Sequence, residues 1–146
     1  MMSKLFVLSV ADLCTKNHQT EDNKSFSIKY TEMGATKIFV SKENALKKVF
    51  KGVWLDSLAV GEKSMVTKMN YIKGYFTTVH QHPHEQCGYV ISGEYCLKIE
   101  TPIQKIDVFL HAGDSYAIPG NTLHSIEVII GGEIVDVFTP CREDYL

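Results

Sequence analysis

From Val53 onward the chain is a succession of short apolar-rich runs broken by turn residues at near-regular intervals: SMVTKMNY, YFTTVHQH, GYVISG, EYCLKIE, KIDVFLHAG, SYAIPGN, HSIEVIIGG and EIVDVF. Valine, isoleucine and aromatic residues recur in them, and apolar and polar positions tend to alternate, the period of a strand with one face buried. Short strands repeated in this rhythm predict an all-β sandwich or barrel. One segment ahead of them reads differently. In SKENALKKVFKG, Ser41 can cap, Ala45, Leu46, Val49 and Phe50 fall on one helical face, and Gly52 can end the turn, which predicts a single short helix. Residues 1 to 36 are the least regular part, with a polar stretch from Thr15 to Ser25 between two apolar runs. The pattern therefore predicts an N-terminal extension, residues 1–45, followed by one β domain, residues 46–146.

Composition narrows the function classes. A chain of 146 residues, 45% hydrophobic and 10% aromatic, is enough for one domain with a real core. Its 15 basic and 17 acidic side chains are spread along the chain and form no basic stripe, so nucleic acid is excluded as a partner. The start, MMSKLFVLSVADLC, imitates a signal peptide only faintly, because Asp12 breaks the apolar run Leu5 to Ala11 and no small-residue cleavage site follows; it reads as a strand. No stretch approaches the roughly 18 apolar residues of a membrane span. Cys14, Cys87, Cys96 and Cys141 show no C-x-x-C spacing, which predicts reduced thiols in a cytoplasmic protein.

Candidate chemistry is concentrated in HQHPHEQCGYVISGE, residues 80–94. Residues two apart in a strand share a face, so His80 and His82 point the same way and can hold one metal ion. Pro83 and His84 make a turn, after which Gln86 can swing its amide oxygen back, whereas Glu85, one position earlier, should face away. His124 begins another β-type run. An H-x-H pair by itself is equally a histidine-rich polar turn. His84 is expected to border the mouth, and His18 and His111 are ordinary surface histidines.

The wider spacing is Gly74, His80, His82, Gln86 and Gly93, then Gly113, Pro119 and His124. It resembles the two motifs of the cupin family over about residues 46–146, with Gln86 where the family has glutamate, Asn121 where it has glycine and Val128 where it has asparagine. The resemblance implies a cupin jelly roll, a double-stranded β-helix barrel, with metal ligands projecting into one open end; these fall on His80, His82, Gln86 and His124. They would hold one divalent transition ion, zinc, nickel, iron or manganese. Three imidazoles and an amide are neutral, leaving the ion its full charge as a Lewis acid. Oxygen-activating iron sites typically use a carboxylate, so the set leans toward non-redox chemistry.

A second anomaly is Asp136, within the apolar strand EIVDVF. A lone buried carboxylate costs several kcal/mol unless cations or hydrogen bonds meet it. Alternation groups it with Ile134 and Phe138; facing inward, its partners would be the ion and Arg142, and facing outward it would hold a loop or a dimer contact. HPHEQ together with DVFTPCRED resembles the small cupins that linearise unsaturated uronates in pectin and alginate breakdown, with Cys141 where those often have proline. That resemblance implies Asp136 and Arg142 as catalytic residues, Phe138 and Arg142 as substrate-binding residues, and a sugar acid as substrate, opened to 5-keto-4-deoxyuronate. Core packing is the ordinary alternative for Phe138. Other classes compatible with the same pattern are a non-catalytic metabolite sensor and another metal-dependent cupin enzyme: a polyketide cyclase, a sugar isomerase or a dioxygenase. Val135 and Val137, on the opposite face, are too apolar to be left wet, which predicts that the N-terminal segment packs on the barrel or on a second chain in a homodimer.

Overall fold

The computed structural model describes residues 32–33, 36–37 and 39–146. Eleven strands are defined among them: β1 (Glu32–Met33), β2 (Thr36–Lys37), β3 (Leu46–Phe50), β4 (Val53–Val60), β5 (Met65–Tyr71), β6 (Glu85–Val90), β7 (Glu94–Glu100), β8 (Lys105–His111), β9 (Ser115–Ile118), β10 (Leu123–Ile130) and β11 (Gly132–Thr139). The expected strand at Leu5–Ala11 and the packing of residues 1–31 lie outside the described residues.

Two antiparallel sheets face each other as a jelly roll, one ordered β3-β4-β5-β11-β6-β9 and the other β10-β7-β8, with β1 and β2 paired separately. The expected all-β cupin jelly roll is what forms. Strand alternation builds its interior. β4 turns Val53, Leu55 and Ser57 inward, β5 turns Met65, Thr67 and Met69, and β11 turns Ile134, Asp136 and Phe138. Against them the smaller sheet sets Tyr95, Leu97, Leu110, Ile126 and Val128 in one hydrophobic core. Burial of each such apolar side chain stabilises the fold by roughly 1.5–3 kcal/mol.

The expected helix over Ser41–Gly52 does not form. Its first residues make a single 3-10 turn, Lys42–Asn44, and the rest is β3, which pairs with β4 from Leu46↔Ser57 to Phe50↔Val53. The residues Leu46, Val49 and Phe50, grouped on one helical face in sequence, instead sit on an edge strand with their side chains exposed. Sheet pairing overrode a weak helical period in a segment that ends in Val-Phe. A second 3-10 turn, Glu143–Tyr145, closes the chain, and no helix among the described residues is long and apolar enough to cross a membrane.

The run YFTTVHQH also departs from a regular strand. It approaches β10 in separate places: the Gly74 N–H donates to the Val128 carbonyl (2.9 Å), Thr77 N–H to the Ile126 carbonyl (3.0 Å), and Phe76 bridges Glu127. His80 and His124 then exchange both backbone hydrogen bonds, at 3.0 and 2.8 Å. This irregular ribbon delivers the first histidine beside the third.

Gly52 turns β3 into β4 at φ +88°, and a Cβ there would fall 2.5 Å from Cδ2 of Tyr75. Gly52→Ala must therefore both occupy the left-handed region and displace a ring. Chemical denaturation should show a loss on the order of 1–3 kcal/mol; a neutral substitution would mean that the hairpin is not formed as described.

Candidate metal centre and its cavity

His80, His82 and His124 converge, each offering a ring nitrogen within 4.8 Å of the others. Their ring centroids are 4.4 Å (His80–His124), 5.0 Å (His82–His124) and 6.0 Å (His80–His82) apart. The chain around each histidine fixes how its ring is presented. Nδ1 of His80 meets the Thr78 carbonyl (2.9 Å), Nδ1 of His82 the His84 carbonyl (3.0 Å), and Nδ1 of His124 the Thr122 carbonyl (2.8 Å). A carbonyl only accepts, so each Nδ1 carries the hydrogen and each Nε2 is left with a lone pair. This is the outer-sphere arrangement that orients metal-binding imidazoles. Nε2 of His82 is buried with no hydrogen-bond partner, an orphan that a bound cation would satisfy. The three residues thus fit a divalent transition ion.

Burial lowers the pKa of His124 to about 4, with the His80, His82 and Arg142 side chains pushing the same way against the Thr122 hydrogen bond. Burial likewise lowers that of His82. Both shifts favour the neutral, ligand-ready form of the ring.

Gln86 lies on β6, and its Nε2 donates to Oδ1 of Asp136 (2.9 Å) and weakly to the Tyr116 hydroxyl (3.4 Å). Asp136 faces inward, 1% exposed. Tyr116 Oη donates to the same Oδ1 at 2.7 Å, so Oδ1 takes both side-chain hydrogen bonds, and Oδ2 takes none among the described residues. Burial raises the Asp136 pKa to about 6, against the lowering effect of the Gln86 and Tyr116 hydrogen bonds and of the Arg142 charge. Burial and the Asp136 carboxylate hold the Tyr116 phenol well above its ordinary range, so it remains a donor.

Arg142 is not hydrogen-bonded to Asp136, the partner expected from sequence. Its guanidinium forks onto Asp144, Nε to Oδ1 at 3.2 Å and Nη2 to Oδ2 at 2.7 Å, and it stacks 4.0 Å from the Tyr145 ring centroid and 5.3 Å from that of Phe138. A nearby carboxylate and two rings hold it because the last residues fold back over the barrel: Ser57 Oγ donates to the Tyr145 carbonyl at 3.0 Å and Lys48 Nζ to the Asp144 carbonyl. Phe138 is 2% exposed and edge-on to both His82 and Tyr145, so it packs the core and flanks the site at once.

A cavity of about 500 Å³ is lined by His80, His124, Gln86, Asp136, Arg142 and Phe138, while the His82 ring, with its buried Nε2, is not on the lining. Its inner wall is apolar, with Val53, Met69, Leu97 and Ile126. The sequence reading missed Tyr116, Tyr71, Tyr75, Asp144 and Tyr145 on the lining. Alternation with Ile118 was the one signal available for Tyr116; nothing local marked the others. Glu85 and His84 point elsewhere: Glu85 is exposed, and His84 Nδ1 meets the Pro140 carbonyl at 2.9 Å.

A jelly roll that gathers three histidines from two separated motifs is the arrangement of a small single-domain cupin, and the Cupin domain pattern matches residues 67–138 of the chain. Among solved structures, an RmlC-like cupin from Shewanella frigidimarina is 28% identical with a TM-score of 0.68, over 76% of this chain and 97% of that one. KdgF from Halomonas sp. is 26% identical with a TM-score of 0.66, over 74% and 99%. An oxalate decarboxylase from Lactobacillus farciminis shares the fold at 19% identity and a TM-score of 0.63, over 69% of this chain and 32% of that one. No curated protein sequence matches the chain.

His124 and Asp136 pull metal-free stability in opposite directions over the same pH interval. His124 titrates near 6.5 when unfolded and about 4 when folded, so its contribution is present above 6.5 and lost as pH falls toward 4. Asp136 titrates near 3.8 when unfolded and about 6 when folded, so its contribution is present below 3.8 and lost as pH rises through 6. Asp136→Asn removes only the second. Urea unfolding of the metal-free protein should therefore show a steeper loss of stability from pH 6.5 to 4.5 in the variant than in the wild type, and parallel profiles would contradict the assignment.

Proposed function

We propose that this cupin is a metal-dependent enzyme acting on a small, oxygen-rich acid, and specifically that it opens the ring of 4,5-unsaturated uronates to the open-chain 5-keto-4-deoxyuronate. The observation that carries this reading is the placement of a buried carboxylate with one unengaged oxygen, Oδ2 of Asp136, on the same cavity as the imidazoles of His80 and His124 and the guanidinium of Arg142, with the His82 ring and its buried Nε2 completing the histidine cluster. The resemblance of HPHEQ and DVFTPCRED to the uronate-linearising cupins supports it, as does the likeness to KdgF over 99% of that chain.

In this reading His80, His82, His124 and Gln86 hold the ion, which when bound supplies Lewis acidity toward substrate oxygens. Arg142, held flat by Tyr145 and Asp144, presents its remaining N–H edge to the substrate carboxylate. Phe138 gives the ring an apolar wall. Asp136 Oδ2 takes the proton of the anomeric hydroxyl as the C1–O5 bond breaks, leaving an aldehyde at C1 and an enolate oxygen on C5. The proton returns at C4, and the enolate becomes the 5-ketone. The reaction is an isomerisation, with atoms and electrons balanced and no co-reactant. A carboxyl group with a pKa near 6 is suited to both giving and taking that proton.

The apolar inner wall favours one second reading, a binding module that holds a bulkier acid without turnover. Asp136→Asn separates the two. An enzyme should lose kcat by on the order of 10²–10⁴, whereas a binding module has no turnover to lose and keeps its ligand affinity.

The direct test follows unsaturated galacturonate by NMR with metal-loaded protein. Turnover should exceed the spontaneous rate, and Arg142→Ala should raise KM by about tenfold or more through loss of a charged hydrogen bond. A rate equal to the spontaneous one with each of zinc, nickel, iron and manganese rejects the uronate assignment.

A further inference from the structure

Asp136, Gly88 and Tyr116 form one row across three strands, Asp136 on β11 opposite Gly88 on β6, and Gly88 opposite Tyr116 on β9. Outer members of such a row stand about 9–10 Å apart at the backbone, normally with a side chain between them. Here there is none. A Cβ at position 88 would fall 2.1 Å from Cζ of Tyr116 and 2.5 Å from its hydroxyl. The phenol lies across the glycine, and that is how its hydroxyl reaches Asp136 Oδ1 at 2.7 Å.

Gln86, the neighbouring inward position on β6, donates Nε2 to the same two groups, Asp136 Oδ1 and Tyr116 Oη. A carboxamide has two ends of opposite character, an amino group that only donates and an oxygen that only accepts. The hydroxyl proton of Tyr116 is committed to Asp136, so both neighbours of Gln86 offer it lone pairs. Only the amino end fits there. The oxygen is left for the opposite side, toward the histidines, where an N–H would repel a cation.

We propose that Tyr116 is a positioning residue that spans Gly88 and, with Asp136, locks the Gln86 amide so that Oε1, rather than Nε2, is presented beside the three imidazoles. The inference rests on reading these histidines and Gln86 as a metal centre. It gives Gln86 a reason to serve where the family has glutamate: a second carboxylate would stand within hydrogen-bond distance of the buried Asp136.

The probe is Co(II), added at pH 8 to untagged protein, read by titration and by the visible absorption of the bound ion. Asp136→Asn and Asp136→Leu both remove the negative charge, but only asparagine keeps an acceptor for Nε2. Asp136→Asn should bind Co(II) with roughly tenfold or more greater affinity than Asp136→Leu, whose spectrum should change as Gln86 leaves the ligand set. The metal-free leucine variant strips the Tyr116 hydroxyl and the Gln86 amino group of their shared acceptor and should melt below the asparagine variant, which keeps one. Tyr116→Phe, which keeps the ring, should weaken binding by about threefold or more, and it decides the question if the leucine variant fails to fold. Equal affinities and one spectrum for the two Asp136 variants, or wild-type binding by Tyr116→Phe, overturns the inference. Absence of Co(II) binding by the wild type overturns the metal reading with it, whereas the expected pattern without uronate turnover leaves the inference standing and rejects only the substrate.

Discussion

The site depends on one local constraint repeated three times: each imidazole gives its Nδ1 hydrogen to a backbone carbonyl two residues away. Because the acceptors are Thr78, His84 and Thr122, all within the histidines' own turns, the rings are aimed by the same chain segments that carry them. Orientation of this kind needs no distant side chain. What it does need is that the segments meet, and the paired backbone hydrogen bonds between His80 and His124 accomplish that across 44 positions of sequence. The larger sheet contributes differently. It supplies a dry wall on which Asp136 can be raised toward neutrality and Tyr116 kept protonated, so the polar groups of the site differ in character according to which sheet bears them.

Much of this was legible in the sequence, for identifiable reasons. β5 and β11 bury every second residue over most of their length, so the strand period fixes one inward face for each. His80, His82 and His124 were legible because two family-like spacings surround them, and Asp136 because a carboxylate within Ile-Val-Val-Phe violates the pattern of its strand. The helix at Ser41–Gly52 failed because β3 is an edge strand with little buried surface, so its residues carry no clear period and pairing with β4 settles their state. Gly88 and Tyr116 were invisible for another reason. Their relation exists only in the register of β6 against β9, and a single chain does not display register.

Arg142 shows the limit of reading a role from a residue type. Its charge does influence Asp136, as expected, but its hydrogen bonds belong to Asp144 and its flat faces to Tyr145 and Phe138. The guanidinium is already oriented before any ligand arrives, so little side-chain freedom remains to be lost on binding.

The short segment that carries Arg142 and Tyr145 is attached to the barrel through Ser57 and Lys48 rather than by joining a sheet. In the proposed reading Arg142 meets the substrate from a segment outside both sheets, so an exchange there would alter what the cavity admits without touching the strand pairing that carries Asp136 and His124.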